Sequence, residues 1–353
     1  MTRSPVARRT GESVQCVGSA RCCEFMPRSS LPLVTVVTPT CNRAHLLDAT
    51  ISSVLSQDYP AVEYIVLDDG STDATPSLLA AYEGVTAVRH PNMGEPRTVN
   101  RGLEMARGEI IGVLNDDDLL MPGAVREAVA ALTANPDVCA VYPDYVVIDE
   151  RSAIVGHVTL ADFDDRMMLT QVRVPGPGAF FRRDVLRRVG LRDPRFHYVA
   201  DCEFWFRVGV AGRMARLPRT LASYRVHGGS TSVEHAERMM AELLMLVDHV
   251  FDELALPPPL ARLRRETMSN VLALMAAVVH RRSYVAALPY YVRSLAVHPL
   301  AWSRWPPRTI LGRIARMLIP HPVLAPPLAY GYRRRAEQYR RHIAIPIAAA
   351  QPG

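Results

Sequence analysis

Two acidic segments, each directly after an apolar run, are the residues of this chain best suited to chemistry. The tetrad at 115–118, Asn-Asp-Asp-Asp, follows the apolar run at 110–114. Adjacent carboxylates repel one another, so such a cluster favours a shared hard divalent cation, bound through oxygen together with the phosphates of a ligand. The alternative is a solvated turn that caps the next helix, because Asp is also a common turn and cap residue.

The second acidic segment has the same arrangement. The run at 63–67 reads as a strand and leads into Asp68 and Asp69, after which a helix is predicted from Ala74 to Tyr82. In an open α/β sheet, ligands bind outside the carboxyl ends of the strands, so acids that are distant in sequence can line one crevice. We therefore predict that Asp68 and Asp69 point into the crevice, while Thr72 and Asp73 cap the following helix.

These acids must be positioned by alternating strands and helices. Between the first two strands, apolar residues recur at helical spacing from Ala44 to Leu55, with Asn42 as the expected cap. A third helix is expected at 98–106. The pattern predicts an α/β fold with a Rossmann-like, mostly parallel sheet and helices on both faces. The expected strands lie at 33–38, 63–67, 85–89, 109–114 and 138–142.

The pattern is looser after residue 150. An edge strand is expected at 153–159, a Pro- and Gly-containing loop at 174–178, and a helix at 201–211. A strand at 221–226 and a turn at 227–229 come next, and from about residue 233 the chain reads as helical segments separated by prolines.

Composition limits the class of protein. The chain has 353 residues, is 49% hydrophobic and carries a net charge of +6, with arginines concentrated toward the C-terminus. Its six cysteines have neither zinc-site nor disulfide-scaffold spacing, so we expect reduced thiols in a cytoplasmic protein. No apolar run reaches the length of a membrane span. The first thirty residues lack a signal-peptide core and are expected to form a disordered leader.

With these elements placed, the sequence resembles a family 2 glycosyltransferase of the GT-A fold. Four motifs in register carry the resemblance, at 36–43, 66–73, 108–118 and 200–207. It implies a catalytic domain at 31–232 and a helical, basic C-terminal region at 233–353. Two departures from the family concern the donor site: Cys41 stands where many relatives have Tyr, and Asn115 replaces the first Asp of the metal motif.

The resemblance also assigns donor-site roles. Asp69 would hydrogen-bond the nucleotide base, and Asp117 would ligate Mn²⁺ or Mg²⁺. Asp116 would reach the ribose or the metal. Pro39 and Arg97 are the further nucleotide-binding candidates. For His227, contact with the metal or the diphosphate stands beside an ordinary structural role. Asp118 is expected to support its neighbours or to cap a turn.

Asp201 matches the general base of the family. A carboxylate near the acceptor hydroxyl would take its proton as the hydroxyl attacks, and inversion at the anomeric carbon would follow. The alternative is that Asp201 only caps its helix, in which case Glu203 is the next candidate for the base.

The function implied is transfer of a sugar from a nucleoside diphosphate sugar, with UDP favoured, to a hydroxyl of a glycan or lipid-linked acceptor. A non-catalytic nucleotide-sugar-binding or scaffold protein is the alternative, although a pure binder needs no base. Nucleic-acid binding has only the charge in its favour. The arginines and apolar residues of the tail, among them Trp302 and Trp305, indicate either peripheral association with an anionic membrane at the inner face of the cell membrane, or ordinary helix packing.

Overall fold

The computed structural model describes residues 31–227, 235–280 and 283–299. Within these ranges, nine strands form one mixed sheet. The strands are β1 (Val34–Thr40), β2 (Val62–Asp69), β3 (Thr86–His90), β4 (Ile110–Val113), β5 (Leu119–Leu120), β6 (Val138–Ile148), β7 (Ile154–Val158), β8 (Phe180–Arg182) and β9 (Arg213–Arg225). The helices are α1 (Ala44–Leu55), α2 (Thr75–Ala80), α3 (Glu95–Met105), α4 (Ala124–Ala134), α5 (Asp165–Gln171), α6 (Val185–Val189), α7 (Ala200–Ala211), α8 (Ala236–Asp252), α9 (Pro258–Ala261), α10 (Arg264–His280) and α11 (Tyr284–Val297).

The sheet is parallel in its first half and mixed in its second. Its strand order is β3-β2-β1-β4-β8-β6-β9-β5, with β7 paired to β6. The pairs within β3-β2-β1-β4 are parallel, as the βαβ pattern predicts, and so is the β6–β9 pair. By contrast, β8 is antiparallel to both β4 and β6, because it is reached through α5 and the Pro- and Gly-containing loop instead of a helical crossover between parallel neighbours.

The register of the first strands sets the position of the acids. Every residue of β1 is buried, as expected for a central parallel strand covered by helices on both faces. Thr40 at the end of β1 pairs with Asp68 of β2, and Val37 pairs with Val113 of β4. The carboxyl ends of β1, β2 and β4 therefore lie at one edge of the sheet, directly before the loops that carry the acids.

Two large hydrophobic cores and one small cluster, of Val37, Ile65 and Leu67, are found among the described residues. The first large core is built on α1 and α4 and includes Leu47 and Leu132. The second large core joins α3 and α7 to the C-terminal helices and includes Phe204, Leu246 and Ala276. The described C-terminal helices thus share a core with the sheet, which agrees with helix packing for this part of the chain. Within the ranges described, none of the helices is long and apolar enough to cross a bilayer.

Several predicted bounds are corrected. Helix α3 begins at Glu95 instead of Thr98, since Pro96 is favourable in a first helical turn. Strand β9 begins at Arg213, although only 221–226 was expected. Its register with β6 shifts after Pro143: Pro143 pairs with Leu217, whereas the next residue of β6 pairs with Thr220. The alternation of apolar and polar residues along β9 is interrupted at this shift. The predicted leader at 1–30 and tail residues such as Trp302 lie outside the described residues.

Candidate active site

A crevice of about 550 Å³ opens at the carboxyl ends of β1, β2 and β4. The site residues predicted from sequence that line it are Pro39, Asp69, Asp116, Asp117 and Asp201. They come from three strand ends and from the start of α7. The fold therefore brings together acids that are up to about 130 residues apart in sequence, as the rule for open α/β sheets predicts.

Asp69 ends β2 and holds the loop before α3. One carboxylate oxygen accepts a hydrogen bond from the amide of Met93 at 2.6 Å, and the other accepts from Gly94 at 3.0 Å. Gly70 allows this close approach, because it has φ +78° and a Cβ there would lie 2.8 Å from the backbone nitrogen of Asn92. Asp69 thus shapes the crevice wall, and its contact with a nucleotide base stays a prediction.

Asp68 does not line the crevice, contrary to the prediction. It is 1% exposed, accepts a hydrogen bond from the amide of Ser71 at 2.8 Å, and forms an ion pair with Arg89. The reason is the period of two along a strand: Asp68 and Asp69 project to opposite faces, so only one of them can reach the crevice.

The capping pattern near α1 and α2 also differs from the prediction in part. Asp73 accepts hydrogen bonds from the amides of Thr75 and Ala44, so it caps both helices. Thr72 does not cap, because its amide and hydroxyl donate to the side-chain oxygen of Asn42. Asn42 in turn adopts φ 55° and turns toward this loop, so it is not the cap of α1. The hydrogen bonds from Thr72 to Asn42 tie the loop after β1 to the loop after β2.

The loop after β4 carries the acidic tetrad, of which Asn115 is exposed. Burial, together with the neighbouring charge of Asp117, raises the pKa of Asp116 to about 7. Burial and the same charge raise the pKa of Asp118 well above its usual range. Ionising these neighbouring carboxyl groups together is therefore unfavourable, and a bound cation would stabilise their charged forms.

Arg225 holds this loop from β9 and was not foreseen from sequence. Its side chain is almost fully buried and donates to the carbonyl oxygens of Asp117 and Asp149 at 2.9 Å each. Its amide donates to the carboxylate of Asp118, also at 2.9 Å. Asp118 thus supports the loop, which is one of the two roles predicted for it, and leaves Asp116 and Asp117 to face the crevice.

Asp117 forms a cluster with His227 and Arg43. His227 Nε2 lies 3.1 Å from Asp117 Oδ2, although the two residues are 110 positions apart. Arg43 Nη1 donates to the same oxygen at 3.2 Å and lies 2.9 Å from His227 Nε2. The structure thus brings His227 beside the predicted metal ligand. It also adds Arg43, which ends the motif at 36–43 but had no predicted role, and whose guanidinium balances the carboxylate.

A divalent cation suits these donors in chemical type. Carboxylate oxygen and imidazole nitrogen are both ligands of Mn²⁺, and phosphate oxygens of a ligand would complete the coordination. Within residues 31–227, 235–280 and 283–299, no group of three or more His, Cys, Asp or Glu side chains is already arranged around a metal position. The metal assignment of Asp117, Asp116 and His227 therefore stays a prediction, in which phosphate oxygens of a ligand supply further donors.

Asp201 lies in the first turn of α7, exposed and on the crevice wall. The N-cap of α7 is Val199, so Asp201 does not hold the capping position. One of its oxygens accepts a hydrogen bond from the amide of Cys202 at 2.7 Å. An exposed carboxylate on the crevice wall is accessible to a bound molecule, and the role of Asp201 as general base stays a prediction.

Glu203 cannot act in the crevice as the alternative base. Its side chain is 1% exposed and paired with Arg207, and His249 Nε2 lies 3.3 Å from Oε1. In α7, Glu203 is two positions after Asp201 and so lies on another face of the helix. The alternative assignment is therefore wrong in this structure, because the carboxylate is committed to a buried ion pair.

We expect Glu203→Gln to destabilise the protein by about 3–5 kcal/mol, since it leaves the Arg207 charge without its buried partner. Turnover per folded molecule should stay near the wild-type value. Glu253→Gln is the matched control, because Glu253 pairs with Arg195 and His249 at the surface and should cost far less. Denaturant unfolding measures both variants. Equal stability of the two variants would contradict the buried role.

Arg97 is exposed on α3 and is not among the residues that line the crevice, so its contact with a nucleotide stays a prediction. Glu95 lines it instead, and a position two residues later points to a different side of the helix. The cation on this wall is Arg192, which is 7% exposed and donates to Glu95. Burial raises the pKa of Glu95, and the charge of Asp201 raises it further. Arg192 lowers this pKa, but by less than the other two effects raise it.

The described cysteines, Cys41, Cys139 and Cys202, are free thiols, as expected. Cys41 lines the crevice, and its sulfur lies 3.4 Å from the carbonyl oxygen of Asp69. Burial raises the pKa of this thiol above its ordinary value, so the neutral form prevails there.

Comparisons with known proteins agree with this architecture. The family model described as glycosyl transferase family 2 matches residues 35–190. An uncharacterized glycosyltransferase of Haemophilus influenzae is 28% identical over 218 residues, which are 57% of this chain and 68% of that protein. The succinoglycan biosynthesis protein ExoO of Rhizobium meliloti is 27% identical over 307 residues, or 77% of this chain and 86% of the relative.

A solved structure shows the same fold. The mannosyltransferase PcManGT from Pyrobaculum calidifontis, in complex with GDP-Man and Mn²⁺, superposes with a TM-score of 0.55. The superposition covers 88% of this chain and 87% of the other, with 19% sequence identity. At that identity the likeness concerns the fold, which is the GT-A fold that the four motifs imply.

Proposed function

The chain belongs to glycosyl transferase family 2 through residues 35–190, and from this membership we propose that it is an inverting, metal-assisted enzyme of polysaccharide biosynthesis. Its donor is a nucleoside diphosphate sugar, most simply a UDP sugar, and its acceptor is a hydroxyl of a glycan or of a lipid-linked saccharide. Polysaccharide biosynthesis is proposed because one matched relative is named for succinoglycan biosynthesis. The observation that carries the proposal is the crevice, in which Asp117 and Asp201 line the same space.

The two carboxylates divide the reaction between them. Asp117, Asp116 and His227 would hold a Mn²⁺ or Mg²⁺ ion, whose chemistry there is to neutralise the diphosphate of the donor. Asp201 accepts the proton of the acceptor hydroxyl as the new bond to the anomeric carbon forms. The bond from that carbon to the diphosphate oxygen breaks, and the nucleoside diphosphate leaves with the electron pair.

The walls of the crevice orient the donor. Asp69 and Pro39 border the nucleotide end, where Asp69 would accept a hydrogen bond from the base. Arg43, beside Asp117, balances the carboxylate charge before a donor binds and can turn toward the diphosphate afterwards. In this arrangement Asp201 would act on the acceptor, while Asp69, Pro39 and Arg43 contact the donor.

A panel of UDP, dTDP and GDP sugars tests the proposal. Release of nucleoside diphosphate is followed with Mn²⁺ or Mg²⁺ present and again after chelation. We expect metal-dependent release with at least one donor, even when water is the only acceptor. Tight binding of a nucleotide sugar without turnover under all these conditions would instead favour a binding protein.

We also propose peripheral association with an anionic membrane, supported by the net charge of +6 and the arginines beyond residue 300. Arg264 and Arg265 contribute less to the attraction for an anionic membrane, because they have partners within the protein. Arg264 pairs with Asp248 and Asp252, and Arg265 donates to a carbonyl oxygen. The full-length protein should sediment with phosphatidylserine vesicles, and added salt should release it. Truncation after residue 299 should abolish sedimentation and spare the shared core. Equal binding to neutral vesicles would contradict this electrostatic account.

A further inference from the structure

The turn before α7 is held by a carboxylate from the C-terminal helices. Three consecutive amides, those of His197, Tyr198 and Val199, donate to Glu242 of α8. The shortest distance to Glu242 Oε2 is 2.6 Å, from the amide nitrogen of Tyr198. The amide nitrogens of His197 and Val199 lie 2.9 and 3.2 Å from the same oxygen. Asp201 follows this turn by two residues, so Glu242 fixes the backbone directly before the proposed base.

Glu242 supplies an acceptor for the amides directly before α7, including that of its N-cap residue. The N-cap residue of α7 is Val199, which has no side-chain acceptor for the amides at the start of the helix. A carboxylate at a helix N-terminus also interacts favourably with the positive end of the helix dipole. In this protein that carboxylate comes from a different helix, so the position of the start of α7 depends on how α8 packs.

A second set of contacts joins the same two helices farther from the crevice. His249 of α8 lies 3.3 Å from the buried carboxylate of Glu203 in α7. Arg195, in the loop before α7, forms an ion pair with Glu253 at the end of α8. These contacts hold α8 against the buried side of α7. Glu242 is the contact that reaches the end of the loop nearest Asp201.

We propose that Glu242 is a positioning residue for the transfer reaction: it holds the turn at 197–199 so that the carboxylate of Asp201 faces the acceptor side of the crevice. This inference rests on the proposed function, in which Asp201 takes the acceptor proton. It makes the first C-terminal helix a working part of the site. A base that is displaced by about 1 Å can cost on the order of 100-fold in rate, so a remote contact of this kind has a measurable effect.

Glu242→Gln tests the proposal because it keeps the shape of the side chain. The carboxamide has one acceptor oxygen and turns an NH₂ group toward backbone N–H donors. We expect kcat for release of nucleoside diphosphate to fall by about 10- to 100-fold, while the KM for the donor stays close to the wild-type value. Glu242→Asp, which keeps the charge on a shorter stem, should be intermediate. Asp248→Asn, on the same helix and paired with Arg264, should keep full activity.

Amide hydrogen exchange measures the contact itself. Exchange at residues 197–199 should become faster in Glu242→Gln and stay unchanged in Asp248→Asn. Wild-type kcat in a folded Glu242→Gln variant, unchanged exchange at these amides, or a parallel loss of donor binding and kcat would each overturn the proposal. If Asp201→Asn loses turnover and Glu242→Gln does not, only the role of Glu242 fails. Full turnover of Asp201→Asn would remove the proposed function instead.

Discussion

Asp201→Asn is expected to lower turnover by roughly 10²- to 10⁴-fold, the usual contribution of a positioned general base. The substitution keeps the size of the side chain and much of its hydrogen bonding but removes the proton acceptor. Donor affinity should stay close to wild type, because the base acts only as the new bond forms. Steady-state release of nucleoside diphosphate gives the turnover, and calorimetry with UDP and Mn²⁺ gives the affinity.

The chain offers a closely matched control in Asp165. Like Asp201, it is an exposed Asp in the first turn of a helix, and it accepts a hydrogen bond from the next amide at 2.7 Å. It does not line the crevice. Asp165→Asn should therefore retain full turnover. Nearly full activity of Asp201→Asn would show that Asp201 is not the base. A joint loss of donor binding and turnover would instead make Asp201 a donor-site residue.

The second large effect concerns Asp117. Asp117→Ala removes the carboxylate that lies beside His227 and Arg43, and the remaining donors then have to hold a dication against water. Supporting residues around a metal are typically worth 10–100-fold in affinity, so loss of a direct ligand should weaken Mn²⁺-dependent binding of UDP by at least about 100-fold. Calorimetry with and without Mn²⁺ separates this effect from binding of the nucleotide alone.

Asp137→Ala is the control for Asp117, since Asp137 is an exposed acid paired with Arg213 and remote from the crevice. It should bind UDP as the wild type does, with and without Mn²⁺. A folded Asp117→Ala variant with unchanged metal-dependent affinity would show that the cation is held elsewhere.

The strands and the acids at their ends were predictable because their signals are local. The apolar run before the tetrad at 115–118 and the run before Asp69 each identify a strand end, and the rule for open α/β sheets then places both acids in one crevice. The position of Asp201 in the first turn of α7 also follows from a local motif and a helical pattern. Where local signals compete, prediction failed: Thr72 resembles a cap, but it bonds to Asn42.

The residues that support the site could not be found in this way. Arg225 contacts Asp118 across 107 positions of sequence, and Glu242 reaches Tyr198 across 44. Neither residue lies in one of the four motifs that carry the resemblance, and each looks like an ordinary charged residue until the sheet order and helix packing are known. Arg97 was a nucleotide-binding candidate, whereas Arg192, a cation that does line the crevice, comes from the loop between α6 and α7. Contacts between distant elements are set by the fold.

The configuration of the new glycosidic bond tests the central claim most directly, because a single displacement assisted by one base must invert the anomeric carbon. With the donor identified from the panel, the coupling of the anomeric proton in the product is read by NMR. From an α-linked nucleotide sugar, we predict a β-linked product that forms with wild-type protein and is nearly absent with Asp201→Asn. An α-linked product would contradict the mechanism and the role of Asp201 in it.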